Sequence, residues 1–91
     1  MKLPIIIEYN SGERTTYVAG PPEWAKWEKA TDKTISDAAG GIGVWDLIFL
    51  AYNAHKREQA GKPVKSFDIW METVADIEAG EADPKATDAE V

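Results

Sequence analysis

Cysteine is absent from this chain. That removes any disulfide framework and any thiol chemistry, and a reducing cytoplasm is the simplest setting. Histidine occurs once, as His55, with no acidic cluster at ligand spacing beside it. No metal site is therefore expected, and no partner stands out that would orient the ring as a general base. Long apolar runs are missing as well, since none approaches the roughly 20 residues of a membrane-spanning helix. The start Met1-Lys2-Leu3-Pro4-Ile5-Ile6-Ile7 has the flavour of a signal peptide, but Glu8 cuts it short. Basic residues are few, 10 against 16 acidic, and Lys56-Arg57 is their only adjacent pair. Phosphate backbones reward clustered bases, and a net charge of −6 disfavours anionic lipid. Neither nucleic acid nor membrane is expected as a partner.

Signatures of catalysis are equally scarce. Gly40-Gly41-Ile42-Gly43 lacks the Lys-Ser/Thr of a phosphate-binding loop and the spacing of a dinucleotide fingerprint, and reads as a flexible link. Glu8, Glu28, Asp46 and Glu72 are the ordinary acids of an acidic chain and do not signal paired-carboxylate chemistry. No serine sits in a nucleophile elbow. The expectation is a binding protein without cofactor, not an enzyme.

What the chain does have is aromatic bulk: four Trp, three Tyr and two Phe in 91 residues. A buried aromatic hides about 150–250 Å², worth roughly 4–6 kcal/mol gross as an upper bound. Against a net stability of about 5–15 kcal/mol, a Trp left in water is a large forfeit. An aromatic found exposed is therefore a candidate contact site. Val44–Arg57 holds the greatest concentration: its first nine residues are apolar or aromatic except Asp46, and its last turn is basic. A helix apolar all round is either enclosed by other elements or awaits a partner.

The chain divides into simple elements. Leu3–Tyr9 and Arg14–Val18, joined across Asn10-Ser11-Gly12, read as a β-hairpin over about 3–18. A two-residue loop would set Tyr9 opposite Arg14. A three-residue loop, with Gly12 in the left-handed position, sets Glu8 opposite Arg14 and Ile6 opposite Thr16. The second is preferred because it pairs opposite charges. Gly20-Pro21-Pro22 ends the second strand and opens a helix over about 22–30. Thr34-Ile35-Ser36-Asp37-Ala38-Ala39 follows as a short capped turn. The central helix covers about 44–60 and stops at Gly61 and Pro63. Ser66 is a good N-cap for a third helix over 66–78, in which Phe67, Trp70, Met71, Val74 and Ile77 repeat at helical spacing. From Ala79 the chain turns acidic and poor in apolar bulk, which predicts a flexible tail over 79–91. The expected fold is α+β, mainly α: one compact domain over 1–78, with the hairpin packed on a small three-helix unit.

Trp24, Trp27 and Thr31 share a stripe of the first helix. Trp45, Phe49 and Tyr52 share one stripe of the central helix, and Val44, Leu47, Ile48 and Ala51 another. Two helices and a hairpin are short cover for both central stripes. Trp45, Phe49, Tyr52, Trp24, Trp27 and Trp70 are therefore the candidate partner-binding residues, with a stacked aromatic core as the plain alternative reading for at least two of the tryptophans.

In order and spacing, three segments resemble a known family. Trp24–Ser36 resembles the aromatic-Glu-basic segment of the tail assembly chaperones of long-tailed bacteriophages. Leu50–Arg57 (Leu-Ala-Tyr-Asn-Ala-His-Lys-Arg) resembles that family's signature helix, and Phe67–Glu78 the aromatic helix with acidic residues that follows it. With the Gly-turn hairpin, the likeness covers roughly residues 3–78. The resemblance implies a small protein of the infected host cytoplasm, absent from the mature virion. Such a protein binds the tape measure protein and helps recruit tail tube protein subunits around it. It also implies a longer form made by ribosomal frameshifting, diverging at the acidic tail. The free hairpin edge leaves homo-oligomer formation open.

The competing reading is a small acidic regulator or inhibitor that occupies a basic host surface through Glu72, Asp76, Glu78 and the tail. Salt separates the two, because an electrostatic grip weakens steeply between about 50 and 200 mM salt and an aromatic one much less.

Overall fold

The computed structural model describes residues 2–80, arranged as a three-stranded antiparallel sheet with four helices. The first two strands, β1 (Leu3–Tyr9) and β2 (Arg14–Ala19), form the expected hairpin. Its register is the preferred one, with Glu8 opposite Arg14 and Ile6 opposite Thr16. Gly12 turns the chain at φ 94°, and its N–H donates to the Tyr9 carbonyl at 2.8 Å. A side chain is rarely accommodated at that φ. Strand alternation sends Ile5 and Ile7, with Tyr17 and Ala19, into the core, while Thr16 and Val18 face out.

Helix α1 (Pro21–Thr31) begins on the Pro pair, whose fixed φ suits the first turn. The Glu23 carboxylate accepts the Gly20 N–H at 2.8 Å, satisfying a donor that the helix start leaves free. The short α2 (Ile35–Ala38) is capped as expected, with Asp37 accepting the Thr34 N–H at 2.8 Å. The central helix α3 (Val44–Glu58) is held at its start by Asp46, which accepts the Gly43 N–H. Its other carboxylate oxygen accepts the Trp27 indole N–H at 2.8 Å. One acid thus starts α3 and fastens it to α1.

The expected third helix over 66–78 is corrected. The structure holds only five residues of it, α4 (Phe67–Met71), followed by a third strand, β3 (Val74–Ala79). Ser66 caps α4 as expected, its hydroxyl accepting the Ile69 N–H. Beyond Met71 the second edge of β1 decides the outcome. That edge would otherwise present a row of unpaired N–H and C=O groups, and β3 pairs with it antiparallel, Ile7 opposite Ile77 and Tyr9 opposite Val74. The register slips between Glu8 and Tyr9, leaving Ala75 as an extra residue. Val74 and Ile77 lie three apart and would point to opposite faces of a regular strand. The inserted residue restores both to the inner face, so a bulged strand reproduces the helical spacing. The architecture is accordingly mixed α+β, with sheet order β2-β1-β3, and four helices stand where three were expected.

The central helix is enclosed. Ile48, Leu50, Ala51, Tyr52 and Ala54 are buried against the sheet, α1 and α4. Residues 79 and 80, expected in the tail, belong to the folded unit: Ala79 ends β3 and the Gly80 N–H donates to the Pro4 carbonyl at 2.8 Å. The rest of the expected tail, 81–91, lies outside the described residues. Among the described residues no helix is long and apolar enough to cross a membrane.

Candidate functional site

The six aromatic candidates divide sharply. Trp24 and Trp27 meet edge to face at 5.4 Å and are both buried, Trp27 almost completely. Trp70 is buried among four rings: Tyr52 at 5.5 Å, His55 at 5.9 Å, Tyr9 at 6.1 Å and Tyr17 at 6.3 Å. Tyr52 is buried too, its hydroxyl donating to the Lys65 carbonyl and its face covered by the Lys56 ammonium at 5.6 Å. These four side chains make the core and present little surface to a partner.

Trp45 and Phe49 remain. Trp45 is 45 % exposed and lies flat on Phe49, ring centroids 5.0 Å apart. Phe67 closes the group, 6.0 Å from each and nearly perpendicular to both. The same two helices expose Val44 and Ile69, at 63 % and 57 %. Both stripes of α3 are covered over the middle of the helix, and its first turn projects beyond the cover. The expected Trp45–Phe49–Tyr52 stripe is thus half buried, and the accessible surface is Trp45, Phe49 and Phe67. Sequence reasoning assigned Phe67 to a helix core. Its three-ring arrangement depends on the turn 59–66 bringing α4 back across the start of α3, which no periodicity reports.

Two polar features were also missed. Glu23 is fully buried and receives two hydrogen bonds from Arg57, at 2.7 and 2.9 Å. Burial alone would raise the Glu23 carboxyl, but the Arg57 and Gly20 hydrogen bonds outweigh it, so its pKa lies below the ordinary range. Glu23 stands where a helix-capping acid is expected; Arg57, 34 residues on, carries no local signal.

The second is a cleft of about 540 Å³ between the hairpin turn, the end of α3 and α4, lined by Tyr9, Tyr17, His55, Lys65 and Trp70 among others. Burial lowers the His55 pKa and so does nearby Lys65, while Glu58 opposes them. Desolvation, and then the hydrogen bond with Tyr9, raises that of Tyr17 far above the phenol range, keeping it protonated. A histidine with a lowered native pKa binds fewer protons folded than unfolded. Its contribution to stability is complete above about pH 6.5 and declines as pH falls through the native pKa. His55→Gln should flatten this part of the stability curve between about pH 7 and 5, read by urea denaturation across that range. An unchanged slope would show that the ring is not held neutral.

Among the described residues no three His, Asp or Glu side chains converge as metal ligands would. No known protein family matches the chain, and no curated protein or solved structure matches it.

Proposed function

We propose that the chain is a binding protein that holds an apolar helical segment of a partner on the Trp45–Phe49–Phe67 surface. We further propose that it acts as a tail assembly chaperone of a long-tailed bacteriophage. In that role it grips the tape measure protein in the host cytoplasm and helps recruit tail tube subunits. One observation carries the first part. A chain that buries three of its four tryptophans leaves the fourth, Trp45, about half in water, stacked on a second ring at the free end of its central helix. Aromatic side chains are favoured anchors at interfaces because they bury much area with few rotatable bonds. The −6 net charge supports solubility of a complex that carries apolar segments. The chaperone assignment rests on the resemblance in Trp24–Ser36 and Leu50–Arg57; the likeness of Phe67–Glu78 to an aromatic helix holds only over Phe67–Met71.

The acidic-inhibitor reading is weaker on this geometry, because Arg14 sits 3.4 Å from Glu8 and 3.9 Å from Glu78 and offsets part of that face.

Trp45→Ala should weaken binding to the tape measure protein about tenfold or more, the size of an interface anchor, while lowering Tm by only a few degrees. Calorimetric titration and thermal unfolding of the same variant measure both. Tyr52→Ala should do the reverse, since its ring is buried and its hydroxyl bonded. Equal losses of binding and stability in Trp45→Ala would make Trp45 a packing residue and remove the proposed surface. The nucleotides around the gene test the chaperone assignment separately: a slippery heptamer before the stop codon, an overlapping frame and a following very long helix-rich gene are the expected arrangement.

A further inference from the structure

The cleft beside the hairpin turn shares no residue with the Trp45–Phe49–Phe67 surface, and its chemistry is different. Its volume of about 540 Å³ falls within the range of small-molecule sites, about 300–1,000 Å³. The half-buried Tyr9 ring supplies most of the apolar wall, and the largely buried Tyr17 and Trp70 contribute only their edges. Three hydrogen-bond donors are also available. The first is the Lys65 ammonium: the ion pairs among the described residues involve Arg14 and Arg57, none of them Lys65. Its backbone is fixed, because the Lys65 carbonyl accepts the buried Tyr52 hydroxyl. The second is the His55 ring, stacked on Trp70 and edge-on to Tyr17, so that its plane is set by packing.

The third follows from counting protons. The Tyr9 and Tyr17 hydroxyls are hydrogen-bonded to each other. Thr15 also lies at hydrogen-bond range of the Tyr17 hydroxyl, so the spare proton is that of Tyr9: with Tyr17 donating to it, the Tyr9 oxygen keeps an O–H that has no partner within the group. Both tyrosines line the cleft, and Tyr17 stays protonated throughout the physiological range.

We propose that this cleft binds a small organic carboxylate. The carboxylate is held by the Lys65 ammonium, the His55 ring and the spare tyrosine hydroxyl, and the apolar body of the ligand rests on the ring edges. A monoanion fits better than a dianion such as phosphate. The site holds one full cation, and the acids Glu13 in the lining and Glu58 beside His55 oppose any further negative charge.

His55 is the only histidine in the chain, so its ring protons give an unambiguous nuclear magnetic resonance titration. Benzoate added to the full chain should move the His55 midpoint upward by about 0.5–1 pH unit, because an adjacent anion favours the imidazolium. Binding should tighten correspondingly as pH falls. Acetate, which has no apolar body, should produce a smaller shift at the same concentration. Lys65→Gln, an exposed substitution whose fold circular dichroism would verify, should weaken benzoate binding about tenfold, as expected for loss of a charge-assisted hydrogen bond. A His55 titration indifferent to millimolar benzoate would overturn the proposal. So would an equal response in Lys65→Gln, or a larger response to inorganic phosphate than to benzoate.

Discussion

Arg57→Met is expected to lower Tm by roughly 10 °C and to invert one part of the pH dependence of stability. In the native protein the Glu23 carboxylate is fully buried and carries two hydrogen bonds from Arg57 and one from the Gly20 N–H. The Arg57 side chain itself is about half exposed. Removing the arginine therefore costs little of its own burial, but strands a carboxylate in a dry site. Breaking a buried pair from one side is far more damaging than replacing both partners, because the remaining charge has lost its water and its counter-ion. The effect should fall short of a fully enclosed pair, since the Gly20 N–H stays in place.

The sign with pH is the sharper test. In the native chain the Glu23 pKa is lowered from the ordinary 4.5. Its contribution is complete above that value and is lost as pH falls through the folded pKa. In Arg57→Met desolvation dominates and the pKa rises above that of the unfolded chain. The variant should then gain stability relative to the native protein as pH is lowered from 7 to about 5. Adding Glu23→Gln should recover part of the Tm and abolish the inversion. Denaturation at pH 7 and 5 for the three proteins would decide. A constant difference between native protein and Arg57→Met would show that the carboxylate is not stranded.

Trp70→Ala carries the larger stability loss, about 3–5 kcal/mol for a buried Trp reduced to Ala. That is a large part of the roughly 5–15 kcal/mol available to a small domain, and the expected fall in Tm is roughly 15–30 °C. Two causes combine. The indole fills the space where Tyr9 of β1, Tyr17 of β2 and Tyr52 and His55 of α3 converge. It also sits immediately before the turn into β3, where the Thr73 hydroxyl and N–H both donate to the Trp70 carbonyl. The variant should therefore loosen β3 in particular. Hydrogen exchange at Glu78, opposite Ile6 of β1, and at Gly80, whose N–H donates to the Pro4 carbonyl, should accelerate more than exchange at Leu50 or Ala51 in α3. Uniform acceleration would mean that the indole serves global packing without fastening the third strand. Trp70→Phe should retain much of the stability, since a second ring can still meet the surrounding aromatic faces.

The local elements were legible in residues 3–58 because the signals there are local. Gly12 at a left-handed turn, the Pro pair opening α1, Thr34 with Asp37, and Asp46 at the start of α3 each act within four residues of the backbone they control. Helix and hairpin boundaries followed from them. The proposed contact surface was legible only in part. Trp45 was among its named aromatics, but so were Trp24, Trp27, Tyr52 and Trp70, which the core absorbs. Helical spacing states which residues share a stripe and is silent on what covers it. The error over 66–78 has a different origin. Phe67, Trp70, Met71, Val74 and Ile77 satisfy a helical repeat, yet only the first three lie on a helix. Val74 and Ile77 reach the same core from a strand whose bulge at Ala75 reproduces the spacing.

The sequence by itself determined the acidic charge, the absence of thiol chemistry, the hairpin register and the starts of α1, α2 and α3. Each depends on composition or on interactions between near neighbours. Tertiary structure alone decided that the end of the described chain joins β1 as a third strand. It likewise decided that Glu23 meets Arg57, that Tyr9, Tyr17 and His55 frame one cleft, and that Trp45 rather than Trp24 faces water. Those outcomes depend on which edge is left unpaired and which face is left uncovered once the other elements have packed. A one-dimensional pattern carries the periodicity of each segment, but not the competition among segments for the same surface.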